Sequence, residues 1–351
     1  MDDLLELIQG ISPMNHAKRA AGQAWCDRLA KPPGALGQLE LIYARLYALF
    51  DGIIDLEKKI VLVYVADNGI VEEQVSANPQ ETTYIVAQNM LAGQTGLCAI
   101  SRHVGSDLCV VDIGCKRDIY PSVEDKVMPG TKNFRHQAAM SRDEAIKAIM
   151  IGYRRTCALM EEGYYLFGTG EMGIGNTTTS AAVISVLLDK DPFEVTGYGA
   201  GLTEDSKHHK AMIIQEAIAH HAPYEDVLDV VAKVGGLDML GMVGTYLACA
   251  RHSYPCVVDG LISATGLLIA SRLAPAVLDY AFASHLSTEP GYAMICQELG
   301  LQPMLQLGMR LGEGSGCPLA FFIMENAVYT MEHMPTFAQG HLNPDDYVDI
   351  R

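Results

Sequence analysis

Three apolar runs that each stop at an acid followed by a glycine or small turn constrain this chain most: residues 60–70 (IVLVYVADNGI), 108–114 (LCVVDIG) and 255–263 (PCVVDGLIS). A fourth strand candidate, residues 164–167 (YYLF), runs into the polar segment GTGE. Short, nearly unbroken apolar runs are strands buried on both faces, and helical patterns follow most of these. The chain therefore predicts an α/β fold with a mainly parallel sheet flanked by helices. Ligands in such sheets collect beyond the C-terminal strand ends, where the acids stand.

The first 45 or so residues read instead as helices broken by KPPG at residues 31–34. With the helical part after Ser315 they predict a smaller helical unit, giving a division into 1–45, 46–314 and 315–351. The tail from residue 334 is expected to be a surface extension or an arm onto a second subunit. A formal net charge of −17 argues against nucleic acid or an anionic membrane as partner. Nine cysteines lie singly with no C-x-x-C pair, which suits reduced thiols and a cytoplasmic protein. The start MDDLLELIQG lacks the basic flank of a signal peptide, and apolar stretches are interrupted before membrane-spanning length.

The richest chemical signal is GEMGIGNTTTSAA, residues 170–182. Residues 164–167 read as a strand and the segment from Ser180 as a helix, with a glycine-rich loop between them. Gly173 and Gly175 let backbone approach a ligand, and Asn176 and Thr177 stand where free N–H groups open the helix. Such a start favours phosphate. The G-K-[ST] ending of a P-loop is missing, and a glutamate, Glu171, stands inside the loop. Its carboxylate suits the carbon or cation end of a substrate.

A second acid, Glu313, lies between Gly312 and Gly314 in LGMRLGEGSG. It reads either as a general base in a ligand cavity or as a cap of the following helix. Two acids in two glycine-rich loops favour catalysis. Lys210 follows the glycines Gly197, Gly199 and Gly201 and is expected just before a helix, where it would complete a monophosphate site. The pairs His208–His209 and His220–His221 point apart on a helix and make poor metal sites. Asp67, Asp112 and Asp259 read as caps of the turns after their strands rather than as magnesium ligands. No metal and no cofactor is expected. Nor does the chain contain the paired acids that accompany pyrophosphorylated ribose.

Displacement at C1 of a ribose passes through an oxocarbenium-like state that one carboxylate stabilises, while a second takes a proton from the nucleophile. These residues leave open whether the nucleophile is water, as in a nucleosidase, or a base.

Taken with KPPGALGQLE (31–40), VSANPQETT (75–83), KVGGLDMLGMVG (233–244), PCVVDG and SHLSTEPGY (284–292), these segments resemble the nicotinate-nucleotide:dimethylbenzimidazole phosphoribosyltransferase family, in family order over nearly the whole chain. The resemblance implies a Rossmann-like sheet with a small helical domain. It implies transfer of 5-phosphoribosyl from nicotinate mononucleotide to a lower-ligand base for cobalamin-type cofactors. Glu313 becomes the base on the acceptor and Glu171 the second acid. Gly173, Gly175, Asn176, Thr177 and Lys210 hold the phosphate, with Gly199 and Gly201 beside them. Ser76, Met172 and Leu311 line the base pocket, and Tyr84 takes a place where the family often has glutamine. The family's Gly-Arg-Gly-Thr-Gly-Leu is here Gly-Tyr-Gly-Ala-Gly-Leu, residues 197–202. These departures bear on the acceptor: a benzimidazole, a purine such as adenine, or a phenol or p-cresol. The resemblance implies a homodimer, and the phenol reading a heterodimer with a homologous subunit.

Overall fold

The computed structural model describes residues 2–119, 125–199, 201 and 203–351; Ala200 and Leu202 of the altered glycine segment lie outside them. Five parallel strands form one sheet in the order β2-β1-β3-β4-β5. They are β1 (Lys59–Ala66), β2 (Asp107–Gly114), β3 (Leu166–Met172), β4 (Cys256–Val258) and β5 (Ala281–Ala283). The helices in chain order are α1 (Asp2–Gln9), α2 (His16–Asp27), α3 (Gln38–Leu49), α4 (Thr82–Leu91), α5 (Gly96–Val104), α6 (Arg142–Glu161) and α7 (Asn176–Leu188). Then come α8 (Pro192–Val195), α9 (Glu204–His221), α10 (Val227–Val234), α11 (Leu237–His252), α12 (Leu261–Leu273), α13 (Pro290–Leu299) and α14 (Gly316–His333).

Every residue of β1 is buried, because successive side chains feed two separate cores. Ile60, Leu62 and Tyr64 face a layer built from α6, α7, α11 and α12, whereas Val61, Val63 and Val65 face α3, α5 and α14. That is why the run shows no polar alternation.

β3 departs from the sequence reading, which ends it at residue 167. The strand starts at Leu166 and continues through Gly168 and Gly170 to Met172, so Glu171 is on a strand and not in a loop. The glycines there serve packing. A Cβ at Gly168 would lie 2.7 Å from the Cys317 Cβ, and one at Gly170 2.4 Å from the Glu313 carbonyl oxygen. α14 and its entry loop press directly on this strand. β5, three residues long, is too short to carry a periodic signal in the sequence. Lys210 lies within α9, not before it.

The ends of the chain meet. Trp25 Nε1 donates to the Met331 carbonyl at 2.9 Å, Leu29 and Thr336 form an antiparallel bridge, and the Ile350 amide donates to Pro33 O at 3.1 Å. The KPPG break is explained by Glu40, whose buried carboxylate takes Lys31 Nζ at 2.7 Å and the amides of Leu36 and Gly34 at 3.0 and 3.2 Å. α1 instead packs Leu4 and Leu7 into the core on the α11 side. Among the described residues no helix is long and apolar enough to cross a membrane.

Candidate active site

The C-terminal ends of β3, β4 and β5 open on one cavity of about 260 Å³, lined by Glu171, Asp259 and His285 among others. β3 supplies Glu171. Its carboxylate accepts the Glu313 amide at 3.3 Å and a bond from Asn176 Nδ2. Burial first, then the nearby Asp238 and Asp259, push its carboxyl up to about 8, against those two hydrogen bonds. Glu171 therefore holds a proton at neutral pH in the ligand-free protein.

Glu313 occupies the opposing wall. It and its neighbours Gly312 and Gly314 are all left-handed, with φ of 65°, 80° and 87°. A side chain in that region is strained, a cost met where the backbone must turn to aim a group. Gly312 is required on a second count, since a Cβ there would come 2.7 Å from Glu171 Oε1. Glu313 Oε2 is buried and has no hydrogen-bond partner among the described residues. Burial raises its carboxyl, opposed by the Thr95 hydroxyl and the Leu97 amide at the start of α5.

What caps α14 is not Glu313 but Asp259, at the end of β4. Its two oxygens accept the Gly314 and Gly316 amides at 3.1 and 2.7 Å, and burial pushes its carboxyl to about 7. Asp67 and Asp112 do the same for the turn after β2: Asp67 accepts the Lys116 amide, and Asp112 the amides of Cys115 and Ile119. Among the described residues no group of three or more His, Cys, Asp and Glu side chains is placed to hold a metal ion.

At the other end of the cavity, α7 begins after Gly175, which has φ of 88° and no side chain to cap the first turn. Thr177 in that turn accepts Lys210 Nζ at 2.7 Å. Lys210 is 1 % exposed, and burial lowers its ammonium to about 8, with Glu289 opposing. Gly199 closes the corner, since a Cβ there would be 3.2 Å from Thr177 Oγ1 and 3.8 Å from Lys210 Nζ.

Of the residues singled out in the sequence, Glu171, Met172, Gly173, Asn176, Thr177, Gly199, Leu311 and Glu313 line the cavity together. Gly175 and Ser76 line a cleft of about 60 Å³ that shares Gly173, Asn176, Thr177 and Gly199 with it. Lys210 reaches the site through Thr177. Gly201 lines neither, and a Cβ there would meet no atom of the described residues within 4 Å. Tyr84 also lines neither. On α4 the cavity-facing residues are Thr82 and Val86, four apart, and Tyr84 between them turns away under the Arg117 guanidinium at 3.7 Å.

Several wall residues carried no signal of their own. His285, Ser287 and Glu289 come from the segment SHLSTEPGY, and Asn78 from VSANPQETT; both segments stood out only as parts of the resemblance. Asp238, at the start of α11, is buried beside Gly173 and Asn68, and burial raises its carboxyl to about 6.

A parallel sheet whose strand ends open on an uncapped helix start with a buried lysine at one end, and two facing carboxyls at the other, fits the class of phosphoribosyltransferases. Comparison with known proteins agrees. The chain matches the family described as phosphoribosyltransferase over residues 11–342. It is 44% identical over 355 residues, 99% of this chain and 98% of the relative, to the nicotinate-nucleotide–dimethylbenzimidazole phosphoribosyltransferase of Clostridium tetani. Identity to the same-named protein of Geotalea uraniireducens is 41%, over 99% of this chain and 100% of the relative. The crystal structure of nicotinate-nucleotide–dimethylbenzimidazole phosphoribosyltransferase from Thermus thermophilus matches with a TM-score of 0.88 at 35% identity, covering 94% of this chain and 99% of that one. The chain belongs to the nicotinate-nucleotide:dimethylbenzimidazole phosphoribosyltransferase family.

Proposed function

We propose that the protein transfers 5-phosphoribosyl from nicotinate mononucleotide to dimethylbenzimidazole, giving the α-riboside phosphate used for the nucleotide loop of cobalamin-type cofactors. The observation that carries this is the meeting of Glu171 and Glu313 on one cavity that also holds the free start of α7.

In this reading the donor phosphate binds at the start of α7, which Gly175 leaves without a side-chain cap, with Thr177 and Lys210 beside it. The C1–N bond to the pyridinium breaks with its electron pair returning to the ring, so nicotinate leaves neutral at nitrogen and needs no acid. Positive charge grows on the ribose ring and favours the ionised form of Glu171. The acceptor's ring nitrogen forms the new bond to C1 from the opposite face, and its N–H proton passes to Glu313, whose unpartnered oxygen is ready to accept it. Met172, Leu311 and Val86 supply apolar walls for the acceptor ring.

We read the protein as cytoplasmic, in keeping with its nine free cysteines, and its active form as a homodimer, a reading supported by Leu307 and Leu311, 58 % and 57 % exposed, on the segment that leads to the cavity. Residues 1–45 and 315–351 are read as the small helical domain on the larger 46–314, on the strength of the Trp25–Met331 and Leu29–Thr336 contacts.

Incubation with nicotinate mononucleotide and, separately, dimethylbenzimidazole, adenine, phenol or water tests the reaction. The expected products are nicotinate and α-ribazole phosphate. Nicotinate release into water alone, or no release with any acceptor, overturns the proposal.

A further inference from the structure

A second cavity, of about 290 Å³, opens between α2 and α3 on one side and the edge strand β5 with residues 299–302 and Met304 on the other. It shares no lining residue with the active-site cavity.

Two arginines meet there. Arg45 of α3 lies over the Phe282 ring at 3.8 Å, and its Nη2 donates to the carbonyls of Leu278, Asp279 and Ala281 at 3.3, 3.0 and 2.6 Å. Those contacts fix the guanidinium in place, while its Nε and Nη1 have no partner among the described residues. Burial first, then the charge of Arg19, lowers the Arg45 guanidinium to about 10, with Asp279 opposing, so Arg45 stays charged at neutral pH beside a second cation. Arg19 of α2 is half-buried, and its guanidinium makes no hydrogen bond or ion pair among the described residues. The one acid on this wall, Asp279, takes the Met14 amide at 2.9 Å and pairs with neither arginine. The chain has 42 acids for 25 lysines and arginines, so two neighbouring arginines without a carboxylate between them are not explained by a shortage of partners. Gln38, whose amide bonds Pro303 O at the long distance of 3.5 Å, and Gln302 bring further N–H donors.

We propose that this cleft binds a small phosphate monoester, with the dianion between Arg19 and Arg45 and the organic part along Ile42 and Met304. A phosphate presents acceptor oxygens in several directions and so serves donors from α2, α3 and residues 299–304 together, whereas the two coplanar oxygens of a carboxylate suit a single guanidinium. The volume approaches that of small-molecule sites and is more than a bare phosphate fills. Met304, which donates its amide to Ala283 O at 3.1 Å, belongs to the segment that runs on to Leu311 and Glu313. An occupant therefore braces the helices at the start of the chain against the strand edge and the approach to the active site.

The probes are glycerol 3-phosphate and inorganic phosphate, read by isothermal titration. Because the start of α7 also takes phosphate in the proposed reaction, Lys210→Met protein is titrated beside the wild type. It should still bind a full equivalent of glycerol 3-phosphate per chain. Adding Arg19→Met should weaken that binding at least about tenfold, the loss of one charge-assisted hydrogen bond. Arg45 also holds three carbonyls, so Arg19, which holds none, carries the test. Arg19→Met alone should leave KM for nicotinate mononucleotide unchanged; a parallel rise in that KM would trace the anion to the active site and overturn the cleft. The ester should bind more tightly than inorganic phosphate, and equal affinities overturn the organic occupant. No binding to the Lys210→Met protein, or binding indifferent to Arg19→Met, overturns the site outright. The titrations need no turnover, so their failure is distinct from failure of the proposed reaction.

Discussion

The backbone amide of Glu313 donates to the carboxylate of Glu171 at 3.3 Å, so the two acids that the sequence places 142 residues apart share one hydrogen bond in the cavity. The contact fixes the distance between them through backbone rather than through two mobile side chains. It leaves one oxygen of the Glu313 carboxylate, Oε2, without a partner among the described residues, while tying down the carboxylate of Glu171.

That asymmetry predicts different outcomes for the two acids. Glu313→Gln keeps the amide bond to Glu171 and removes only the proton acceptor, so kcat should fall by about 10²–10⁴ while KM for the nucleotide changes little. Steady-state kinetics with dimethylbenzimidazole reads both. A rate within a few-fold of wild type would remove Glu313 from the reaction.

Glu171 should make the ligand-free protein less stable as pH rises. Its carboxyl is raised from 4.5 to about 8 in the folded protein, so the folded state binds this proton more tightly than the unfolded chain. Stability is then lost as pH climbs from about 4.5 through about 8. Glu171→Gln cannot ionise and should lose less over that window. Thermal melts of both proteins at closely spaced pH values would show the gap widening; parallel curves contradict the assignment.

Gly170→Ala should damage stability and activity together. Its new Cβ would meet the Glu313 carbonyl oxygen at 2.4 Å, inside the contact that places the general base. Overpacking of this kind costs about 1–3 kcal/mol. A melting temperature and kcat both near wild type would show that the loop yields freely.

Far from the cavity, Lys31→Met should strand a buried carboxylate. Glu40 is 1 % exposed; burial resists its ionisation, yet the bond from Lys31 and the amides of Leu36 and Gly34 hold its carboxyl below the usual range. Removing one partner of such a pair costs about 3–5 kcal/mol, and denaturant unfolding would measure it. A loss under about 1 kcal/mol would place the pair with ordinary surface bridges.

How far the sequence carried depended on whether a residue's role is local. β1 and β2 announce themselves because nearly unbroken apolar runs of strand length have few other folds open to them. The free start of α7 is legible from Gly175, Asn176 and Thr177, since capping is a matter of adjacent residues. Glu171 stands out in the sequence but on the wrong element: Gly168 and Gly170 read as loop, because the reason for them, α14 lying on the strand, comes from far along the chain. Tyr84 follows from the place of the family's glutamine along the chain, whereas the turn of α4 decides which side chains reach the cavity.

Lys210 ties the site to stability in the opposite sense from an ordinary lysine. Burial lowers its ammonium from 10.5 to about 8, so the folded state prefers the neutral amine. As pH falls from about 10.5 to about 8 the unfolded chain gains a proton that the folded protein resists, and below that range the full penalty is present. The Thr177 hydroxyl, its one hydrogen-bond partner among the described residues, offsets only part of this. Lys210→Met should therefore melt above wild type at pH 7 without ligand, exchanging a buried charge for a packed side chain. A phosphate supplies the missing counter-charge, so inorganic phosphate and nicotinate mononucleotide should raise the melting temperature of wild type in proportion to saturation, and that of the variant far less. Melts with and without each ligand decide it: a variant that melts lower than wild type when empty, yet is stabilised as much by phosphate, would place the anion elsewhere.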